Sequence, residues 1–195
     1  MTENQKQKKD SLQIICVSAL MLALSTALSF VKIWNMPWGG SITLLSMLPV
    51  CLISIKYGLK RGLFASFVYS VIQLIFGITV DGIFSWGLTA QMLVACIMLD
   101  YILAFTLLGF AGIFRKRGIW GVILGTVFAV FLRFISHFLS GAFVFASAGK
   151  LWEGFSTDNV YLYSLVYNAC YMLPEIILTC IGALFIYKAI DKILK

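Results

Sequence analysis

Charge is what this sequence has least of. Asp, Glu, Lys and Arg make up 12% of its 195 residues, against 61% hydrophobic side chains and a mean hydropathy of +0.97. A soluble domain of this length has too much surface to be covered by so few charges, so the soluble class is excluded. Histidine occurs once, at His137, and the five cysteines (Cys16, Cys51, Cys96, Cys170, Cys180) stand singly inside apolar runs with no C-x-x-C pair. That excludes a zinc constellation and leaves the cysteines as small apolar packing residues. There is no G-x-x-x-x-G-K-[ST] run to cradle a phosphate, no H-E-x-x-H and no G-x-S-x-G. No nucleophile–base pair is visible either, so an enzyme is not expected, and no cofactor or metal is implied. Repeats, low-complexity tracts and linkers are absent, which makes 1–195 one membrane domain.

What the sequence does have is apolar length. About 20 apolar residues cross ~30 Å of hydrocarbon, and the pattern predicts an all-α membrane protein with six transmembrane helices, over approximately 11–32, 42–56, 60–77, 88–114, 119–148 and 160–188. The formal charge of +7 is sorted along this layout. Lys6, Lys8 and Lys9, then Lys56, Lys60 and Arg61, then Arg115, Lys116 and Arg117, and finally Lys188, Lys192 and Lys195 all fall on one side. The other side carries Lys32 and Lys150 beside Asp81, Glu153 and Asp158. This is a positive-inside bias, so both termini are expected to be cytoplasmic in a multi-pass protein of the cytoplasmic membrane. It is a topology signal and does not call for a nucleic-acid partner. The first apolar core, Leu12 to Val31, exceeds the ~7–15 residues of a signal peptide and reads as a retained span. Ala19, Ala23 and Ala27 recur on one face of it, a surface that suits close approach of either a bundle neighbour or an external partner. After it, Pro37, Gly39 and Gly40 break the helix in an outer loop carrying Trp34 and Trp38.

An ionisable group inside a span is a functional candidate, because a charge in hydrocarbon costs several kcal/mol. Four qualify: Asp100, Arg133, His137 and Glu175. Counting from the outer helix ends at 1.5 Å per residue puts Asp100 ~18 Å, His137 ~17 Å and Asn168 ~12 Å down. Three spans thus bring an acid, an imidazole and an amide to similar depth. Arg133, His137, Gly141 and Phe145 form one stripe on the fifth span, and Tyr163, Tyr167, Tyr171 and Glu175 repeat the spacing on the sixth, beside Asn168. Such faces are poor lipid contacts and good pocket walls, with Gly141 giving room for a flat ligand against the helix. The pocket suits a planar, heteroaromatic, cationic solute, through ring stacking, a carboxylate for positive charge or an exocyclic amine, and Asn168 for ring nitrogens. The same residues also fit an internal network in which Asp100 pairs with Arg133 or His137 to hold helices together.

Several segments together carry a family resemblance. They are Met36-Pro37-Trp38-Gly39-Gly40-Ser41, Leu99-Asp100-Tyr101, the run Arg133 to Phe145 with His137-Phe138-Leu139-Ser140-Gly141, and Tyr163 to Pro174 with Tyr-Ser-x-x-Tyr-Asn. In order and spacing the chain resembles the thiamine-specific substrate-binding (S) components of energy-coupling factor (ECF) transporters. The resemblance implies a six-helix ECF S-component bundle that binds thiamine from outside with high affinity. It implies delivery by docking on an ECF module of two ATPases and a transmembrane coupling protein. Carried over by position, the pyrimidine-binding carboxylate falls on Asp100, followed by Tyr101, and the ring-stacking histidine on His137, with Gly141 on the same face. The sixth-helix tyrosine and asparagine fall on Tyr163 and Asn168, and a lid tryptophan on Trp38, with Trp34 as the alternative. The helix-1 alanine face that docks the coupling protein matches Ala19, Ala23 and Ala27. Two departures bear on affinity: Asp100 stands where some members carry Glu, and Phe145 where some carry Trp. The alternatives are an S component for a thiamine precursor and a solitary carrier using Asp100, His137 and Glu175 as a proton path.

Overall fold

The computed structural model describes residues 3–36 and 39–193, the side chains of 6 and 188–193 excepted. Among the described residues, four helical stretches are long and apolar enough to cross a membrane: Glu3–Ser29, Leu59–Thr79, Ala90–Phe145 and Val160–Tyr187. Their outer faces carry large bare side chains, Phe64, Trp120 and Phe185 among them, each more than two-thirds exposed. Water does not tolerate apolar belts of this kind and lipid does, which identifies a multi-pass membrane protein.

Helix α1 (Glu3–Ser29) begins ahead of the expected 11–32 span, its helix running on through the lysines. It leaves Leu12, Ile15, Leu20 and Leu24 outward and buries Leu22 and Ser25. Strands β1 (Lys32–Asn35) and β2 (Ser41–Thr43) then pair antiparallel, with Lys32 opposite Thr43, Trp34 opposite Ile42 and Asn35 opposite Ser41. A hairpin therefore stands where an irregular loop was expected, and it absorbs the start of the predicted second span (42–56). Helix α2 (Leu48–Tyr57) starts only at Leu48, because Pro49 has no N–H to give and belongs in a first turn. At ten residues it is ~15 Å long, half the hydrocarbon thickness. Its side chains from Leu48 to Ile55 are buried.

Gly58, at φ +91°, breaks α2 from α3 (Leu59–Thr79). A loop with a 3-10 turn at Ile83–Ser85 leads to α4 (Ala90–Cys96), capped by the Thr89 hydroxyl. The rod continues through a π-helical stretch, Ile97–Leu103, into α5 (Ala104–Thr106) and a 3-10 segment, Leu107–Gly112. Helix α6 (Gly118–Ser140) follows and ends in a second π turn, Gly141–Phe145, stopped by Ala146 in the left-handed region. The stretch 90–145 is folded back on itself: the Ser136 hydroxyl donates to the Leu99 carbonyl, Phe110 meets Phe128 edge to face, and Gly125 abuts the Ala111 carbonyl. Positions that descend on one leg meet positions that ascend on the other, as in an antiparallel helical hairpin. A second hairpin, β3 (Gly149–Trp152) with β4 (Phe155–Thr157), precedes α7 (Val160–Ile193), which contains Pro174.

A close seam joins α2, α3 and the 3-10 segment. The Ser54 hydroxyl donates to the Gly109 carbonyl and accepts from the Gly112 N–H at 3.0 Å. A Cβ on Gly112 would run into the Ser54 carbonyl, and one on Gly62 into the Ser54 side chain. Small residues allow backbones to approach where no hydrophobic force between helices is available, since lipid is as apolar as the core. Gly112→Ala is therefore expected to cost about 1–3 kcal/mol by overpacking, read as a lower melting temperature of the detergent-solubilised protein. An unchanged transition would show that this seam yields.

Candidate substrate-binding site

The helices enclose a cavity of about 790 Å³, inside the roughly 300–1,000 Å³ range of small-molecule sites. Its mouth is marked by Lys32 and Asp81, an exposed ion pair at 3.6 Å, and by Trp86. Its floor reaches Tyr69 and Glu175, 0% and 2% exposed. Asp100, Tyr101, Arg133, His137, Gly141, Phe145, Tyr163 and Asn168 all line it.

The polar centre of the wall is a chain of hydrogen bonds across the folded-back hairpin. Arg133 Nε donates to His137 Nε2 at 3.2 Å. The imidazole is then an acceptor at Nε2, so its single proton sits on Nδ1 and is donated to Asp100 Oδ1 at 2.8 Å. The Ser140 hydroxyl donates to the other oxygen, Asp100 Oδ2. The π-helical stretch containing Asp100 and the π turn just after Ser140 both lie at this level, where such irregularities re-aim side chains toward a site. Arg133 also lies over the Phe105 ring, 4.1 Å from its centroid, which spreads its charge into the aromatic face. The two sequence readings, pocket wall and helix-holding network, thus converge on the same side chains.

Helix α7 supplies the opposite wall. Asn168 Nδ2 donates to the Ser164 carbonyl at 2.8 Å and to the His137 carbonyl at 3.4 Å, while its Oδ1 accepts from the Tyr171 hydroxyl at 2.6 Å. Its amide protons are committed to the α6–α7 seam, which leaves the second lone pair of Oδ1 free for a ligand, and that lone pair accepts rather than donates. Gly141 also differs from expectation. The space its missing Cβ leaves is taken by the Ser164 hydroxyl, with Asn168 Nδ2 at 3.3 Å, so the glycine makes room for α7 and lines the cavity only by its backbone. Tyr163 stacks on Tyr167 with centroids 6.2 Å apart and planes 10° from parallel. Tyr101 packs against Gly77, and Phe145 faces Trp86 at 6.1 Å.

Trp38 lies outside the described residues. Trp34 is described and half exposed on β1, away from the cavity lining. Ala19, Ala23 and Ala27 all sit exposed on α1, on the outer surface of the bundle. Sequence reasoning missed Trp86, whose indole donates to the Asp81 carbonyl at 3.1 Å, and Thr43, whose N–H and hydroxyl donate to Glu175 Oε1 at 2.5 and 2.7 Å. The one available signal was for Ser140, three residues after His137 and therefore on its face.

Residues 15–195 match the model of a family described as thiamine transporter protein. The thiamine transporter ThiT of Bacillus subtilis (strain 168) is 32% identical over 203 residues, with 97% of each chain covered. A solved structure of ThiT from Listeria monocytogenes superposes with a TM-score of 0.73, covering 94% of this chain and 97% of that one at 21% identity, which is a likeness of fold. Relatives are thus named as thiamine transporters, and over nearly its whole length the chain belongs to the thiamine transporter protein family.

Proposed function

We propose that this protein is the thiamine-binding S component of an ECF-type importer, delivering thiamine across the cell membrane with an ATPase and coupling module. The observation that carries the reading is the Arg133–His137–Asp100–Ser140 chain displayed in an aromatic cavity of small-molecule size. Thiamine is a planar aminopyrimidine joined to a cationic ring. The free lone pairs of Asp100 and of Asn168 Oδ1 accept from the exocyclic amine, and Tyr101, His137, Phe145 and Tyr163 offer ring faces. Trp38 is retained as the lid aromatic. A six-span layout with cytoplasmic termini is supported by the sorted lysines and arginines and by the fold-back of 90–145. The exposed alanines of α1 suit a helix of the coupling protein, because small side chains let two helices pack closely where lipid otherwise sits.

The purified protein is expected to bind thiamine tightly in titration calorimetry and to lose tryptophan fluorescence as it does so; a folded protein that binds none would end this reading. Asp100→Asn and His137→Ala should each weaken binding by about 1–3 kcal/mol, the cost of stranding a buried polar partner, and wild-type affinity in both would remove the site from this cavity. Ala23→Leu should leave binding intact and abolish uptake with the assembled module. Uptake by proteoliposomes lacking any ATPase and driven by a pH gradient alone would instead favour a solitary carrier.

A further inference from the structure

The charged side chains around the cavity do not cancel. Lys32 is paired with Asp81 at the mouth. Arg133 is joined through His137 to Asp100, and the imidazole is neutral in that arrangement because it accepts at one nitrogen and donates at the other. Glu175 is left. Ser46 donates to Thr43 Oγ1, which donates in turn to Glu175 Oε1, so one oxygen is held firmly. The other, Oε2, is buried with no partner, and of the buried side-chain oxygens in that condition among the described residues it is the one that lines the cavity. The ion pairs among the described residues are Lys32–Asp81 and His137–Asp100, so no cation lies within ion-pair distance of Glu175.

We infer that Glu175 is the counter-charge for the substrate: it balances the fixed positive charge of a monocationic ring and sets the preference for cationic over neutral ligands. This deepens the thiamine reading and rests on it. Asp100 is unsuited to that task because its charge is already offset through the imidazole by Arg133. A carboxylate without an ion-pair partner in a low-dielectric cavity acts over several ångströms, so the cationic ring need not touch it. A monocation makes the loaded cavity neutral, whereas a neutral ligand of the same shape leaves one negative charge unbalanced.

The test compares thiamine with its uncharged deaza analogue, in which carbon replaces the thiazolium nitrogen, by calorimetry on the full-length protein. The unaltered protein is expected to prefer thiamine, and Glu175→Gln, which keeps an acceptor for Thr43, to cut that preference about tenfold by losing affinity for thiamine alone. Glu175→Asp keeps the charge and should keep the preference; its loss there would overturn the inference. Asp100→Asn is expected to weaken both ligands alike. Equal weakening of both ligands by Glu175→Gln, or a preference abolished by Asp100→Asn and kept by Glu175→Gln, would assign the counter-charge elsewhere while leaving thiamine binding standing. No thiamine binding by the unaltered protein would overturn both readings.

Discussion

The bond on which the site depends runs from a guanidinium to a carboxylate by way of a neutral imidazole. Arg133 and Asp100 sit inside a bundle wrapped in apolar side chains, where an isolated charge is expensive. Direct contact between them would join the charges and leave the ring idle. The interposed His137 instead spaces them by its own width, fixes its tautomer through the two bonds and holds its plane against the cavity. Phe105 beneath the guanidinium and Ser140 on the second carboxylate oxygen complete the set. Each member satisfies its neighbour, so the wall is rigid before a ligand arrives, and rigidity of that kind reduces the ordering cost of binding.

That chain exists only because backbones come close. Asp100 meets His137 and Ser140 across the folded-back hairpin, and Asn168 reaches the His137 carbonyl because Gly141 lets Ser164 into the seam. The α2–α3–3-10 seam around Ser54 performs the same service elsewhere in the bundle, with the Gly109 carbonyl and the Gly112 amide bonded to a single hydroxyl. In a bilayer, small residues and side chain–backbone hydrogen bonds take over the holding role that apolar burial plays in water.

Much of this was legible in the sequence, for definable reasons. Hydropathy marks the long helices, and the four-residue recurrence of Arg133, His137, Gly141 and Phe145 marks one face of a helix whatever surrounds it. The shared depth of Asp100 and His137 followed from helix rise, and the structure joins them at 2.8 Å. What escaped depends on partners distant in sequence. Thr43 and Glu175 are separated by 132 positions, and nothing local to either announces the other. The hairpin over the mouth was hidden because the segment after Gly40 is mostly apolar, with Ile42, Leu44, Leu45 and Met47 broken only by small hydroxyl residues, so composition extends a helix that in fact begins at Leu48. Gly141 was read as space for a ligand when the space belongs to a neighbouring helix, a distinction that spacing along one helix cannot draw.

The tie between Thr43 and Glu175 links two features otherwise described apart. β2 is part of the hairpin at the cavity mouth, yet its last residue donates twice to a carboxylate on the cavity floor. The same side chain, which lines the cavity, therefore anchors the hairpin with one oxygen and leaves the other buried without a partner. On the proposed reading, a cation arriving in the cavity draws on the charge that also holds Thr43, and charge-assisted bonds depend on how much charge the acceptor retains. Occupancy of the site and the seating of the outer hairpin then share one carboxylate. That coupling requires no moving part beyond the side chain of Glu175.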